Sequence, residues 1–266
     1  MTDDSTHTAV YGLIGYPLEH SFSQSYFTEK FKRLGINAEY RNFPIADISQ
    51  LPGIIESTPA LRGLNVTHPY KQQVMRYLDA TDATASGIGA VNVVCIDRRN
   101  GKTTLTGHNA DAAGFAGSLR PLLQPHHRRA LVLGTGGASR AVVHSLAAMG
   151  IEVQGVSRRR ADGLLTYADL DAATMESHTL IVNCTPLGML PHTDTAPDIP
   201  YSLLTPRHLL YDLVYNPAET VFLRKGREMG ATVKNGLEML HLQAEASWEF
   251  WNSPQKSTAG STAQAK

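Results

Sequence analysis

The stretch Ala130-Leu131-Val132-Leu133-Gly134-Thr135-Gly136-Gly137-Ala138-Ser139-Arg140 decides how the chain is read. Its apolar start is a short buried strand that runs directly into a glycine turn. The turn opens a helical pattern carrying Ala141, Val142, Leu146, Ala147 and Met149. Gly150 closes that helix, and Glu152-Val153-Gln154-Gly155-Val156-Ser157 reads as the next strand. Strand, glycine turn, helix, strand is the unit that holds a dinucleotide pyrophosphate. The first glycine permits a tight turn, the second lets backbone approach phosphate, and the helix N-terminus offers free N–H groups. Glycines that serve packing alone are the ordinary alternative. Ser139 stands in place of the usual third glycine and is small enough for close helix–sheet packing.

The end of the second strand narrows the ligand. A carboxylate there would bind the ribose 2′-OH of NAD, whereas this chain has Ser157-Arg158-Arg159-Arg160. A guanidinium fork matches phosphate oxygens bidentately, so the run favours NADP over NAD. The competing reading is a solvated basic loop.

Composition sets the outer limits. At 266 residues the chain holds one large domain or two small ones, and 42% hydrophobic content is normal for globular folding. Formal net charge is zero, which argues against bulk attraction to nucleic acid or an anionic membrane. No apolar run approaches the roughly 18 residues of a spanning helix, and no apolar h-region follows Met1. The expectation is a soluble, cytoplasmic protein. Cys95 and Cys184 lack the spacing of a zinc set or redox pair, and the histidines form no His-Glu-x-x-His. No metal site is expected.

Outward from the glycine turn, the pattern is α/β in both directions. Upstream, strands are expected at 9–16, 39–43 and 61–67. Helices are expected at 24–34, ending at Gly35, at 45–56, broken by Pro52, from Pro69 to Leu78, and at 79–86. Asn100-Gly101 between β-rich runs at 90–96 and 103–107 predicts a hairpin. Asp111 opens a helix through Leu123, with a domain boundary near 108–112. Downstream, strands are expected at 179–184, 209–214 and 231–234, and helices at 220–229 and 237–251. The polar residues 253–266 cannot bury enough apolar surface to order themselves.

Several strands end in polar residues, where ligands of α/β folds collect. In Asn65-Val66-Thr67-His68-Pro69-Tyr70-Lys71, Asn65 and Thr67 share a strand face, and Lys71 follows where its amine can return over it. Equally, Thr67 caps a helix and Lys71 is an exposed cation. A lysine exchanges protons when its pKa falls or a partner fixes it, and Asp111 and Asn92 are the candidate partners. Asp111 as a plain helix N-cap competes with that reading, and His68 is the alternative base. Ser21 and Ser23, between strand and helix, either hold a carboxylate or cap the helix. Asn183-Cys184-Thr185-Pro186-Leu187-Gly188 and Tyr211-Asp212-Leu213-Val214-Tyr215-Asn216-Pro217 each end a strand in a turn that either borders the nucleotide or is only a turn.

Taken in order, these motifs resemble the shikimate dehydrogenase family over residues 9–252. Gly15-Tyr16-Pro17, His20-Ser21-Phe22-Ser23, the Asn65–Lys71 run, Gly89-Ala90-Val91-Asn92, Asn109-Ala110-Asp111 and the Gly134–Arg140 turn carry the likeness. The two strand-end turns and Gly236-Leu237-Glu238-Met239-Leu240 with Gln243-Ala244 complete it. The resemblance implies a substrate domain from residues 1–110 completed by the helix 237–252, and a Rossmann-type NADP domain over 111–236. It implies reversible reduction of 3-dehydroshikimate to shikimate in aromatic biosynthesis. A monomer or homodimer is expected, a choice the sequence leaves open. By position, Ser21 and Ser23 would hold the substrate carboxylate. Asn65, Thr67, Asn92, Asp111 and Gln243 would hold ring hydroxyls, and Tyr215 would border the ring. Lys71 would be the acid/base group, paired with Asp111. Gly134, Thr135, Gly136, Gly137 and Ala138 would cradle the pyrophosphate, and Arg158 with Arg159 the 2′-phosphate. Thr185, Leu213 and Gly236 would lie along the nicotinamide half.

The chain departs from the family pattern at Gln24, where proline is frequent, at Val93 and Ala110, where threonine is, and at Ser157-Arg158-Arg159, where Asn-Arg-Thr is. Ala83 replaces an acidic residue common nine positions before Asn92. Two alternatives follow the same fold. A quinate/shikimate dehydrogenase preferring NAD is opposed by Ala83 and the arginine run. A non-catalytic nucleotide sensor is opposed by the retained Lys71 and Asp111.

Overall fold

The computed structural model describes residues 8–18 and 21–253. His20 and the expected tail beyond Ser253 lie outside the described residues. The first sheet collects β1 (Ala9–Gly15), β2 (Ala38–Pro44), β3 (Leu61–Val66), β4 (Ala80–Thr81), β5 (Val93–Arg99) and β6 (Lys102–His108) in the order β2-β1-β3-β5-β6-β4. β1 runs parallel to β2 and β3, while β5 is antiparallel to β3 and to β6. The β5–β6 hairpin turns at Asn100 and Gly101, both with positive φ (53° and 74°), the geometry an Asn-Gly pair favours. Helices α1 (Phe22–Leu34), α2 (Leu51–Ser57) and α3 (Ala83–Ile88) connect the strands.

Helix α4 (Ala110–Leu119) leads out of this sheet into the second. There β7 (Arg129–Leu133), α5 (Gly137–Ala148), β8 (Glu152–Ser157), β9 (Leu164–Thr166), α6 (Ala172–Ser177), β10 (Leu180–Asn183), β11 (Leu209–Asp212), α7 (Val221–Glu228) and β12 (Thr232–Lys234) follow. The sheet is parallel throughout, ordered β12-β11-β10-β7-β8-β9. Its strands are apolar on both faces because helices cover both: Ala130 and Val132 enter one core, Leu131 and Leu133 the other. The chain order reverses between β7 and β10, which opens a crevice at their carboxyl ends.

Helix α8 (Leu237–Asn252) returns to the first sheet. Trp248 and Trp251 pack among Tyr11, Phe27, Phe31 and Tyr40, and Trp251 Nε1 donates to the Val94 carbonyl at 3.2 Å. Close approach requires Gly63 under that indole, since a Cβ there would lie 2.3 Å from Trp251 Nε1. The same helix crosses α4 at Gly114, where a Cβ would meet the Met239 carbonyl oxygen at 2.7 Å. Thus α8 fixes α4 against β3 and β5.

Several local expectations change. Pro52, expected to break a helix over 45–56, instead stands in the first turn of α2, which follows a 3-10 turn at Ile48–Gln50. Pro69 starts a turn and a short 3-10 segment (Gln73–Tyr77) instead of an α-helix, so Thr67 caps no helix. The run 79–86 divides into β4 and α3, because the Asp82 side chain accepts from Ala85 N–H and caps the helix there. Asn109, whose side chain accepts from Ala112 N–H, is the N-cap of α4; Asp111 is in its first turn, and the helix yields to a 3-10 turn at Arg120. Asn92 precedes β5 and is not inside it.

Candidate active site

The carboxyl ends of β1 and β3, the start of α4, the middle of α8 and the turn after β11 surround one cavity of about 510 Å³. Ser21, Ser23, Asn65, Thr67, Lys71 and Asn92 line it from the first half, with Asp111 from α4. Gln243 and Leu240 close it from α8, and Ala138, Leu213, Tyr215 and Gly236 from the second half.

Asn65 is held from every side. Tyr40 OH donates to its Oδ1 at 2.8 Å, and its Nδ2 donates to Ser247 Oγ at 2.9 Å and to the Asn92 carbonyl at 3.3 Å. Burial and these contacts fix the amide orientation and leave Oδ1 one lone pair for a ligand hydroxyl. The Ser23 hydroxyl reaches Tyr40, whose phenol burial pushes well up, so it donates across the pH range. Ser21 is the N-cap of α1, its hydroxyl accepting from Gln24 N–H at 3.4 Å; capping is an observed role for it. Asn92 Oδ1 accepts from Ala110 N–H at 2.7 Å, which leaves Nδ2 as the free end of that amide and ties α4 to the cavity wall.

The pair at the centre is Lys71 and Asp111. Lys71 Nζ donates to Asp111 Oδ2 at 2.6 Å, with 22% and 12% of their side chains exposed. Two features place them. Val91 N–H donates to the Lys71 carbonyl at 2.7 Å, fixing the loop after β3, and Asp111 stands in the first turn of α4, where the helix dipole favours a carboxylate. A lysine ammonium carries three donors, so one is spent on Asp111 and two remain for a ligand. His68, the alternative base, is exposed and does not line the cavity.

The glycine turn lies along the crevice from this pair. Gly134 has φ +101°, and a Cβ on it would press on Thr185 at 3.0 Å. Gly136 and Gly137 face open space, and no side chain caps α5. Ser139 Oγ donates to the Gly136 carbonyl at 2.6 Å, which explains how serine serves in that position. Among the arginines, Arg160 pairs with Asp169 at 3.4 Å, while Arg158 and Arg159 are exposed at the end of β8. Thr185 Oγ1 donates to Asn183 Oδ1 at 2.6 Å, and Gly236 sits so close to Leu213 that a Cβ would meet its carbonyl oxygen at 2.2 Å.

Comparison with known proteins decides the family. The family model for the shikimate dehydrogenase substrate binding domain matches residues 13–94. A shikimate dehydrogenase (NADP(+)) from Desulforamulus reducens is 37% identical over 267 residues, covering 92% of this chain and 90% of its own. The chain belongs to the shikimate dehydrogenase family. Among solved structures, the shikimate 5-dehydrogenase of Thermus thermophilus, in complex with NADP(H) and shikimate, is 32% identical. It aligns with a TM-score of 0.79 over 92% of this chain and 93% of that one. A quinate dehydrogenase of Corynebacterium glutamicum in complex with NAD is 26% identical, with a TM-score of 0.81 over 92% and 94% of the two chains.

As a shikimate dehydrogenase the chain is an NADP-dependent oxidoreductase. Its residues fit that cofactor: an uncapped helix N-terminus, open space over Gly136 and Gly137, and two arginines without a carboxylate partner among the described residues. Tyr40 and Ser247 escaped the sequence reading. They act on Asn65 from 25 and 182 residues away, and nothing local marks a tyrosine in β2 or a serine in α8 as belonging to the cavity. Among the described residues no helix is long and apolar enough to cross a membrane, and no cluster of three or more His, Cys, Asp or Glu could hold a metal.

Proposed function

We propose that this chain catalyses the reversible reduction of 3-dehydroshikimate to shikimate, with Lys71 as the acid/base group and Asp111 as its partner. The observation that carries this reading is the Lys71–Asp111 pair, 2.6 Å apart on the wall of a cavity otherwise lined by hydroxyls and amides. NADPH, when bound, supplies the hydride. Lys71 gives a proton to the ring oxygen in the reduction and takes it back in the oxidation. Asp111 holds the ammonium at the ring and balances its charge. Asn65, Thr67, Asn92 and Gln243 hold ring hydroxyls, Tyr215 borders the ring, and Ser21 and Ser23 hold the carboxylate at the start of α1. Fixed placement beside a positioned acid supplies most of the acceleration.

The domain roles follow: residues 1–110 with 237–252 hold the substrate, and 111–236 hold NADP. Gly134, Thr135, Gly136, Gly137 and Ala138 receive the pyrophosphate. Arg158 and Arg159 receive the 2′-phosphate, since Arg160 is engaged by Asp169. Thr185, Leu213 and Gly236 border the nicotinamide.

The test is direct: NADPH formation, read at its absorbance, when shikimate is added to the pure protein with NADP. Faster turnover with quinate than with shikimate, or with NAD than with NADP, would overturn the assignment.

A further inference from the structure

A fully buried carboxylate lies just behind the cofactor crevice. Asp212, the last residue of β11, has no exposed surface, and three neutral donors hold it with no cation among them. Asn183 Nδ2 at 2.9 Å and Val214 N–H at 3.0 Å donate to Oδ1, and Thr220 Oγ1 at 2.6 Å donates to Oδ2. Burial pushes its pKa up to about 6. A buried group of this kind contributes little stability, because an apolar residue of similar volume would avoid the desolvation. Its contacts show where it acts. Asn183, the last residue of β10, turns its other end to Thr185, accepting from Thr185 Oγ1 at 2.6 Å and from Thr185 N–H at 3.0 Å. Val214 is bound on its other side, its carbonyl accepting from Gly236 N–H at 3.2 Å, and Leu213 N–H donates to the Asn183 carbonyl at 3.0 Å.

We propose that Asp212 is a positioning residue for the cofactor half of the site. Its carboxylate locks the ends of β10 and β11 together, so that Thr185, Leu213 and Gly236 hold one arrangement. This rests on the reading of those three residues as the nicotinamide border. Thr185 receives the constraint through Asn183, and Leu213 and Gly236 receive it through the turn at Val214. A half-satisfied network would leave the turns after both strands free to shift against each other.

Three variants test it: Asp212→Asn, Asn183→Ala and the double variant. Asparagine keeps the shape and one acceptor oxygen but drops the charge, so Asp212→Asn retains the fold. NADPH binding is measured by titrating its fluorescence against each variant without shikimate. Each single variant should raise the NADPH Kd about tenfold, the order expected for losing a hydrogen bond to a charged group. The KM for shikimate should rise less than the NADPH Kd does, since Ser21, Ser23, Asn65, Thr67 and Lys71 come from the first half of the chain, away from the ends of β10 and β11. The double variant should weaken binding no more than the worse single one, because both break one relay. A lowered Tm with unchanged NADPH Kd would reduce Asp212 to a fold-stabilising residue and overturn the proposal; additive losses would overturn the relay through Asn183. Wild-type protein that binds NADPH yet leaves shikimate unoxidised would sink the proposed function alone, with the Kd comparison still standing.

Discussion

Lys71→Ala takes away the ammonium 2.6 Å from Asp111 and leaves that carboxylate without its cation. In the proposed mechanism the proton on the substrate oxygen then has no positioned carrier, so kcat should fall by roughly 10²–10⁴. The KM for shikimate should move far less, because Asn65, Asn92 and Gln243 remain. Near-normal kcat would remove Lys71 from the reaction. The glycine turn gives a sharper pair. Gly136→Ala adds a methyl to open space, so melting should be unchanged while NADPH affinity drops about tenfold or more, because the methyl fills the proposed phosphate cradle. Gly134→Ala meets positive φ and Thr185, and should destabilise by about 1–3 kcal/mol. Equal effects of the two on melting would contradict this geometry. At this scale the sequence was most legible where neighbours in the chain are neighbours in the site, as from Asn65 to Lys71. It was silent where partners are remote, as Tyr40 and Ser247 are to Asn65.

Helices α4 and α8 carry Asp111 and Gln243 to the same cavity, and Gly114 sets their separation. Gly114→Ala puts a methyl 2.7 Å from the Met239 carbonyl and 3.0 Å from Gln243 N, atoms that belong to backbone and cannot swing aside. The helices must part. Stability should fall by about 1–3 kcal/mol, and the KM for shikimate should rise while NADPH affinity holds. Chemical denaturation and a KM comparison check both halves of that statement. Elements with a strong period or punctuation were readable: the Asn100-Gly101 hairpin, α1 stopped by Gly35, and the β7–α5 unit. The segment 68–86 was not. Pro69 suits either a helix or a turn, and the cap that starts α3 is Asp82, inside a run whose periodicity reads as continuous helix.

Across the whole molecule, protonation of Asp212 couples the cofactor crevice to folding. Its pKa in the folded state, about 6, lies above the ordinary 3.8, so the folded protein binds that proton more tightly than the unfolded chain does. Its contribution is therefore greatest below about pH 4 and is lost as pH rises through about 6, a swing of roughly 2–3 kcal/mol. Asp82 and Glu245 run the other way: the His108 contact and the Ala85 N–H lower Asp82, and Lys30 and Tyr26 lower Glu245, so their stabilisation is lost as pH falls. Unfolding free energies of wild type and Asp212→Asn, compared from about pH 4 to about pH 7, isolate the Asp212 part. Wild type should lose stability relative to the variant as pH rises; parallel profiles would refute it. The division into two sheets was legible because the parallel half reads as apolar runs ending in polar turns. The return of α8 was legible only through the family resemblance, since a helix's period does not say which sheet it covers.

That return has an optical consequence. The chain's two tryptophans, Trp248 and Trp251, both sit on α8, wedged into the aromatic cluster above Gly63. All indole emission from this protein thus originates on one helix that also carries Gln243 into the cavity. Excited at the red edge of indole absorption, which tyrosine scarcely shares, the chain reports the seating of that helix and little else, with no added dye. A shift in that emission on adding substrate without nucleotide would be read as motion of α8 over the cavity, and a steady signal as a pocket already set.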